Sequence, residues 1–212
     1  MKKIAFLLVA GIAASILPAQ AQRRSNPGNP ALEQQIIQEL QKKAGDGKFY
    51  HASLFGVKSN GLYDNTASFQ KAVDYISENG GGTLYISVGR YLTGAVQLKD
   101  NVSIYIHGTV VGSPNIFDYK GHKAIFWAED AENISISGGV IEGQGSAIRK
   151  QTEELKGKGL LNSSCPLPTL MYFKNCRKVS LNKVICRYPA TEELYVTENS
   201  EADIEGCIND TK

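Results

Sequence analysis

Four short phrases repeat one apolar–polar–apolar pattern along the chain: Val102-Ser103-Ile104, Ile134-Ser135-Ile136, Val179-Ser180-Leu181 and, more loosely, Ala202-Asp203-Ile204. Alternation with a period of two sends successive side chains to opposite faces, so each phrase reads as a strand with one buried face. The central residues Ile104, Ile136, Leu181 and Ile204 lie 32, 45 and 23 positions apart. A repeat in the range of roughly 20–50 residues, carried by strands rather than helices, predicts a solenoid. On that reading 23 is one unit, 32 is one unit plus a loop, and 45 is close to two units. A single coil cannot bury its apolar face alone, so coils stack and share one core. With strands ~4.8 Å apart, about five or six coils make a rod of only about 25–30 Å.

The segments before and between these phrases differ in kind. Gln22 to Pro30 is polar with two prolines and reads as a linker. Ala31 to Lys43 places Leu32, Ile36, Ile37 and Leu40 on one helical face. A second helix is predicted over Thr66–Glu78, with Asn65 as its N-cap and Phe69, Ala72, Val73 and Ile76 at helical spacing. Asn79-Gly80-Gly81-Gly82 stops it, because glycine opens backbone angles closed to other residues. Strands follow at 83–86, 95–98 and 102–106. Gly145 to Pro168 interrupts the strands, with a helix expected at 147–156. Insertions of this kind leave a solenoid on one face and either wall a groove or form plain surface loops.

The chain divides as residues 1–21, 22–48 and 49–212. The first part is read as a signal peptide: Lys2 and Lys3, an apolar run from Ile4 to Leu17, and a small-x-small site ending at Ala21. That run is shorter than the ~20 residues a bilayer needs. Cleavage after Ala21 predicts a periplasmic or secreted product. Without Lys2 and Lys3 the 23 basic side chains fall to 21, matching the 21 acidic ones. Such a balance offers no electrostatic case for nucleic acid or a membrane surface as partner. Cys165, Cys176, Cys186 and Cys207 lack C-x-x-C spacing, and His51, His107 and His122 are scattered, so no metal site and no cofactor are expected. Four cysteines allow three disulfide pairings in an oxidising compartment, while buried free thiols fit a solenoid core equally well.

Several motifs in order resemble one superfamily. Ser53-Leu54-Phe55-Gly56-Val57, Asn60-Gly61 and the run from Asp64 to Ala72 look like the entry motif of pectin-degrading β-helix proteins. Gly80–Ile86 and Gly89–Gly94 fit the next motif, Ser137–Gly145 the turn after it, and Leu170–Cys176 a later strand. Together they resemble polygalacturonases of glycoside hydrolase family 28 and their relatives, from about Ser53 to Cys207. The resemblance implies an all-β, right-handed parallel β-helix of the pectin-lyase type. It has an N-terminal capping helix and is truncated at the C-terminal end. It also implies pectic polysaccharide or oligosaccharide as the partner. Ser87 departs from a usual proline, and Leu167 from an arginine that often precedes Pro168 and contacts substrate.

Inverting hydrolases of this family need one carboxylic acid and one carboxylate ~6.5–9.5 Å apart. The family supplies them from Asn-Thr-Asp and Asp-Asp motifs, with Gly-His-Gly and Arg-Ile-Lys further on. None of the four motifs occurs in this sequence, so no catalytic residue is assigned and the substrate-binding residues stay unknown. Asn209-Asp210-Thr211 has the right composition in the wrong order. Gly121-His122-Lys123 falls several coils too early and reads as a solvated loop. Glu129-Asp130, Glu153-Glu154 and Glu192-Glu193 read as surface pairs, and Asn101, Asn133, Asn162 and Asn209, each in Asn-x-Ser/Thr, as turn chemistry beside strands. No amphipathic helix follows Ile208, so the last coil is expected to expose its apolar cross-section. The leading expectation is a polygalacturonase-like hydrolase lacking its catalytic coils. The alternatives are a non-catalytic carbohydrate-binding or structural β-helix and, more weakly, a calcium-dependent pectate-lyase-type eliminase.

Overall fold

A computed structural model describes residues 47–119, 124–197 and 200–210, with six helical positions among residues 31–42. Those six (Ala31, Gln34, Gln35, Gln38, Glu39 and Lys42) are all exposed, as the polar side of the predicted helix requires. The signal peptide, the linker, the apolar side of that first helix and His122 lie outside the described residues.

Among the described residues sixteen strands form three parallel sheets. The first sheet stacks β1 (Phe49–His51), β3 (Gly82–Ile86), β6 (Val102–Ile106), β9 (Glu132–Ser137), β12 (Arg177–Asn182) and β15 (Ala202–Glu205). The second stacks β2 (Asn60–Asp64), β4 (Arg90–Thr93), β7 (Thr109–Gly112), β10 (Val140–Glu142), β13 (Ile185–Arg187) and β16 (Ile208–Asn209). The third holds β5 (Val96–Gln97), β8 (Ala124–Glu129), β11 (Thr169–Lys174) and β14 (Leu194–Val196). Each coil visits the three sheets in turn, which is the right-handed parallel β-helix that the repeat and the motifs predicted.

The repeat maps onto one column. Leu84, Ile104, Ile136, Leu181 and Ile204 are register partners on successive strands of the first sheet. Ile136 and Leu181 are therefore neighbours, and the step of 45 is one coil, not two. The excess length is the insertion between β10 and β11: a helix, Gly145–Gly157, and a loop running to Pro168. Spacing alone cannot separate a second coil from an insertion, because both lengthen the chain between strands. The helix also starts earlier than expected, where a Cβ on Gly145 would sit 2.1 Å from the Pro189 carbonyl oxygen. Only glycine allows that approach.

The capping helix, Thr66–Glu78, buries Phe69, Ala72, Val73 and Ile76, as predicted. Its N-terminus is built differently from the expectation. Asn65 makes no cap bond; Asp64 Oδ1 accepts from the Thr66 amide at 2.9 Å instead. Asn65 is fully buried, and its amide joins three segments. Oδ1 accepts from the Lys58 amide, while Nδ2 donates to the carbonyls of Lys58, Tyr63 and Leu92. A buried backbone group left unpaired is costly, and one side-chain amide here satisfies several.

The same helix completes the edge of the first full coil. Thr66 Oγ1 accepts from the Gly94 amide at 2.6 Å. Gln70 accepts from the Gln97 amide and donates to its carbonyl, as a neighbouring strand would. Ser77 Oγ donates to the Asp100 carbonyl. An open strand edge recruits other chains, and these side chains occupy it. Gly80, Gly81 and Gly82 then turn the chain into β3 at φ of 85°, 93° and 150°. At the other end of the described residues, Ile204 and Ile208 are 49% and 58% exposed.

Turns beside the strands use asparagine as expected at two of the four sequon positions. Asn101 and Asn133 adopt left-handed backbone angles and stack, Asn133 Nδ2 donating to Asn101 Oδ1 at 2.8 Å. Asn162 accepts from Ser164 in a loop turn. Asn209 is the exception: it lies in β16 and donates to Glu193, because its chain continues as a strand rather than turning.

Candidate functional site

The third sheet carries a continuous column of large side chains on its outer face. Phe126, Met171 and Leu194 are register partners pointing into the core. Their neighbours Trp127, Tyr172 and Tyr195 are therefore aligned outward, with Gln97 next in line below Trp127. The Tyr172 and Tyr195 rings stack with centroids 5.0 Å apart and planes 4° from parallel. Tyr172 is buried, Trp127 half-buried and Tyr195 is 44% exposed. Beside this column Lys174 faces Glu129 across one strand step, Nζ to Oε1 3.8 Å.

Below the column the surface hollows into a groove of about 840 Å³ between the capping helix and the third sheet. Trp127 and Gln97 belong to both groove and column. One wall is the helix face bearing Lys71, Asp74, Tyr75 and Glu78; the other is the 3-10 turn Ile116–Tyr119, which contributes Phe117 and Asp118. Asp118 is held rigidly, its two oxygens accepting from Ser113 Oγ and Asn115 Nδ2. Tyr119 anchors the turn by donating to the Ser113 carbonyl at 2.9 Å. Burial first, and then the adjacent Asp118 carboxylate, hold its hydroxyl neutral well above the usual phenol range, so it stays a donor.

The Gly145–Pro168 insertion supports this wall rather than forming it. Gln151 Oε1 accepts from the Ile116 amide at 2.8 Å, which braces the turn. Arg149 ties the helix to the carbonyls of Pro189 and Ala190. The sequence left open a groove wall or a plain loop, and the structure places the insertion one layer behind the wall.

Other candidates fall elsewhere. His51 accepts from the Ser53 amide at 3.2 Å, and His107 Nδ1 lies 3.2 Å from the Tyr85 hydroxyl; His51 ends β1 of the first sheet and His107 directly follows β6. Among the described residues no three His, Cys, Asp or Glu side chains gather as metal ligands. All four cysteines are free thiols, Cys176 and Cys186 buried in the core. Burial raises the Cys176 thiol; burial, then Cys207 and Glu193, push Cys186 up to about 12. Glu129 pairs with Lys174, and Asp130 accepts from Asn175, in keeping with surface roles. Asp210 pairs with Arg187 at 2.9 Å. Ser87, in place of proline, bonds the Tyr91 hydroxyl at 3.0 Å, while Leu167 packs against the core.

Sequence reasoning missed the aromatic column, although a signal for it exists. Trp127, Tyr172 and Tyr195 each precede by nine positions the residue that fills the repeat column: Ile136, Leu181 and Ile204. A fixed offset from a stacked column is itself a column.

Comparison with known proteins narrows what this parallel β-helix, with its aromatic outer column and groove, is similar to. No family model matches the chain. A presumed glycosyl hydrolase of Parabacteroides merdae ATCC 43184 is 37% identical, with a TM-score of 0.73 over 77% of this chain and 75% of that one. The family 28 exopolygalacturonase of Yersinia enterocolitica shares the fold, with a TM-score of 0.68 at 19% identity over 78% of this chain and 39% of its own. An exopolygalacturonase of Zea mays is 27% identical over 50% of this chain, and the match spans 28% of the maize protein. A polygalacturonase-type protein of Vitis vinifera is 33% identical over 36% of this chain and 16% of its own length. The chain belongs to one family with the Parabacteroides protein, is similar to polygalacturonases over part of its length, and spans about a quarter of the curated exopolygalacturonase it matches.

Proposed function

We propose that this protein is a polygalacturonase-like glycoside hydrolase chain for pectic polysaccharide whose sequence here lacks the family's catalytic motifs, and that the outer face of the third sheet is where it grips the glycan. The observation that carries this is the aligned column Trp127–Tyr172–Tyr195 above the groove. Aromatic faces offer large apolar area at low conformational cost, which suits the C–H faces of sugar rings. Gln97 and Asp118 at the same surface offer polar groups for hydroxyls. Family membership supports the reading, and the maize and Yersinia proteins are exopolygalacturonases by name. The test is release of reducing ends from polygalacturonate by the purified protein, together with retention of pectin fragments in affinity electrophoresis. Turnover assigns hydrolysis to this chain. Retention without turnover assigns it the carbohydrate-binding role, which the aromatic column favours by itself. Neither turnover nor retention overturns both.

We further propose export. Lys2-Lys3, the apolar run and Ala19-Gln20-Ala21 support it. N-terminal sequencing of the product outside the cytoplasm should begin at Gln22; a product retaining Met1 overturns it.

A further inference from the structure

We infer that Lys174 reads the carboxylate of a uronic acid seated on the aromatic column, with Glu129 holding it ready; this deepens the proposed function and rests on the third-sheet face as the glycan surface. Met171 and Phe173 of β11 are buried in the core, so Tyr172 and Lys174 share the outer face, two residues or about 6.6 Å apart. Trp127 and Glu129 repeat that step on β8, in register with Tyr172 and Lys174. An ionic column therefore runs beside the aromatic one. Across the four strands of the third sheet, Lys174 is the one basic side chain and Glu129 the one acidic side chain among the described residues.

The pair is loose. Nζ lies 3.8 Å from Oε1, the longest of the salt bridges among the described residues and beyond direct hydrogen-bond reach. Both side chains are open to solvent, 53% and 43% exposed. The charges next along the chain are committed: Arg177 closes on Glu132 at 2.7 Å, and Asp130 accepts from Asn175. An exposed ion pair adds little stability, and the Lys174 ammonium keeps three donors that so distant a partner leaves to water. A carboxylate arriving at hydrogen-bond distance replaces that water with charge-assisted bonds. On a uronic acid the carboxylate projects from the ring edge, so a ring held against the aromatic column can turn it to Lys174. A methyl ester offers the same ring and no charge, so the cation discriminates between the two.

The test measures binding of a galacturonate trimer and its methyl ester to the intact protein by calorimetry. The free acid should bind at least roughly threefold tighter, and raising salt from about 0.01 M to about 0.15 M should weaken it while sparing the ester. Lys174→Gln should weaken the free acid by roughly tenfold and the ester by less than about twofold. Lys174→Arg keeps the charge and should keep the preference. Glu129→Gln, which frees the ammonium, should tighten the free acid by roughly threefold. A Lys174→Gln protein that binds both trimers as the wild type does, or loses both equally, overturns the inference and leaves the glycan surface standing. Loss of free-acid binding in Glu129→Gln overturns it too, because Glu129 would then be the contact. Failure of both trimers to bind the wild-type protein removes the glycan surface and this inference together.

Discussion

The first and third sheets are built by the same stacking rule and differ in one outward column each, although the first sheet also stacks Tyr85 on Tyr105 further along its strands. On the first sheet the outward partners of the core column are Thr83, Ser103, Ser135, Ser180 and Asp203, all small or acidic. On the third they are Gln97, Trp127, Tyr172 and Tyr195. Behind each face lies the same apolar interior. Parallel register therefore turns any residue repeated once per coil into a stripe, and the residue type decides what the stripe can do. Hydroxyls make a wet wall, whereas aromatic rings make a more apolar one.

The difference can be broken from the inside first. Ile136→Ala on the first sheet and Phe126→Ala on the third should each cost about 3–5 kcal/mol in chemical denaturation, since both are fully buried. A much smaller loss at Phe126 would mean that the third sheet is not an equal wall of the core.

The shared interior also sets a pH dependence. Cys186 has a folded-state pKa of about 12, above its ordinary 9. The neutral thiol is thus the form the fold prefers. Its contribution to stability is complete below about pH 9 and is lost as pH rises through about 12. Alkaline unfolding followed by circular dichroism should show this loss, and Cys186→Ser should not ionise in that window. Alkylation of Cys186 at neutral pH should lag behind that of the partly exposed Cys165. Equal rates would show that the interior admits solvent.

The outer faces give the next largest effect. Trp127→Ala and Tyr172→Ala should each weaken glycan retention by roughly tenfold, about 1.4 kcal/mol. Ser135→Ala and Ser180→Ala should leave it unchanged. If the serine variants lose as much, the functional contrast between the sheets fails. The smallest effect lies in the inserted helix that braces the groove wall. The buried Thr152 hydroxyl has no hydrogen-bond partner among the described residues. Thr152→Val should raise the unfolding midpoint by an amount equivalent to about 1 kcal/mol without altering binding.

Much of the fold was legible because the first sheet repeats its own phrase. Val102-Ser103-Ile104 and its echoes name their strands, and the capping helix was placed at its observed bounds from its apolar spacing. The step of 45 was misread as two units because an insertion and a coil add length alike. Asn65 was read as a cap, since sequence shows only its neighbours along the chain. Its partners Lys58 and Leu92 lie on either side of it in sequence and meet it only in the folded coil. The site was less legible still. Trp127, Tyr172 and Tyr195 share no common phrase, and only their fixed offset of nine from the repeat column marks them.

By itself, then, the sequence determined the solenoid, its capping helix and the inward column, because alternation and helical spacing are local properties that burial reads directly. Tertiary structure alone decided that 45 residues make one coil, that Asn65 is a buried staple, and that the aromatic stripe stands beside a groove walled by the capping helix. These depend on register between strands, and register is set by how the coils stack, not by any short stretch of chain.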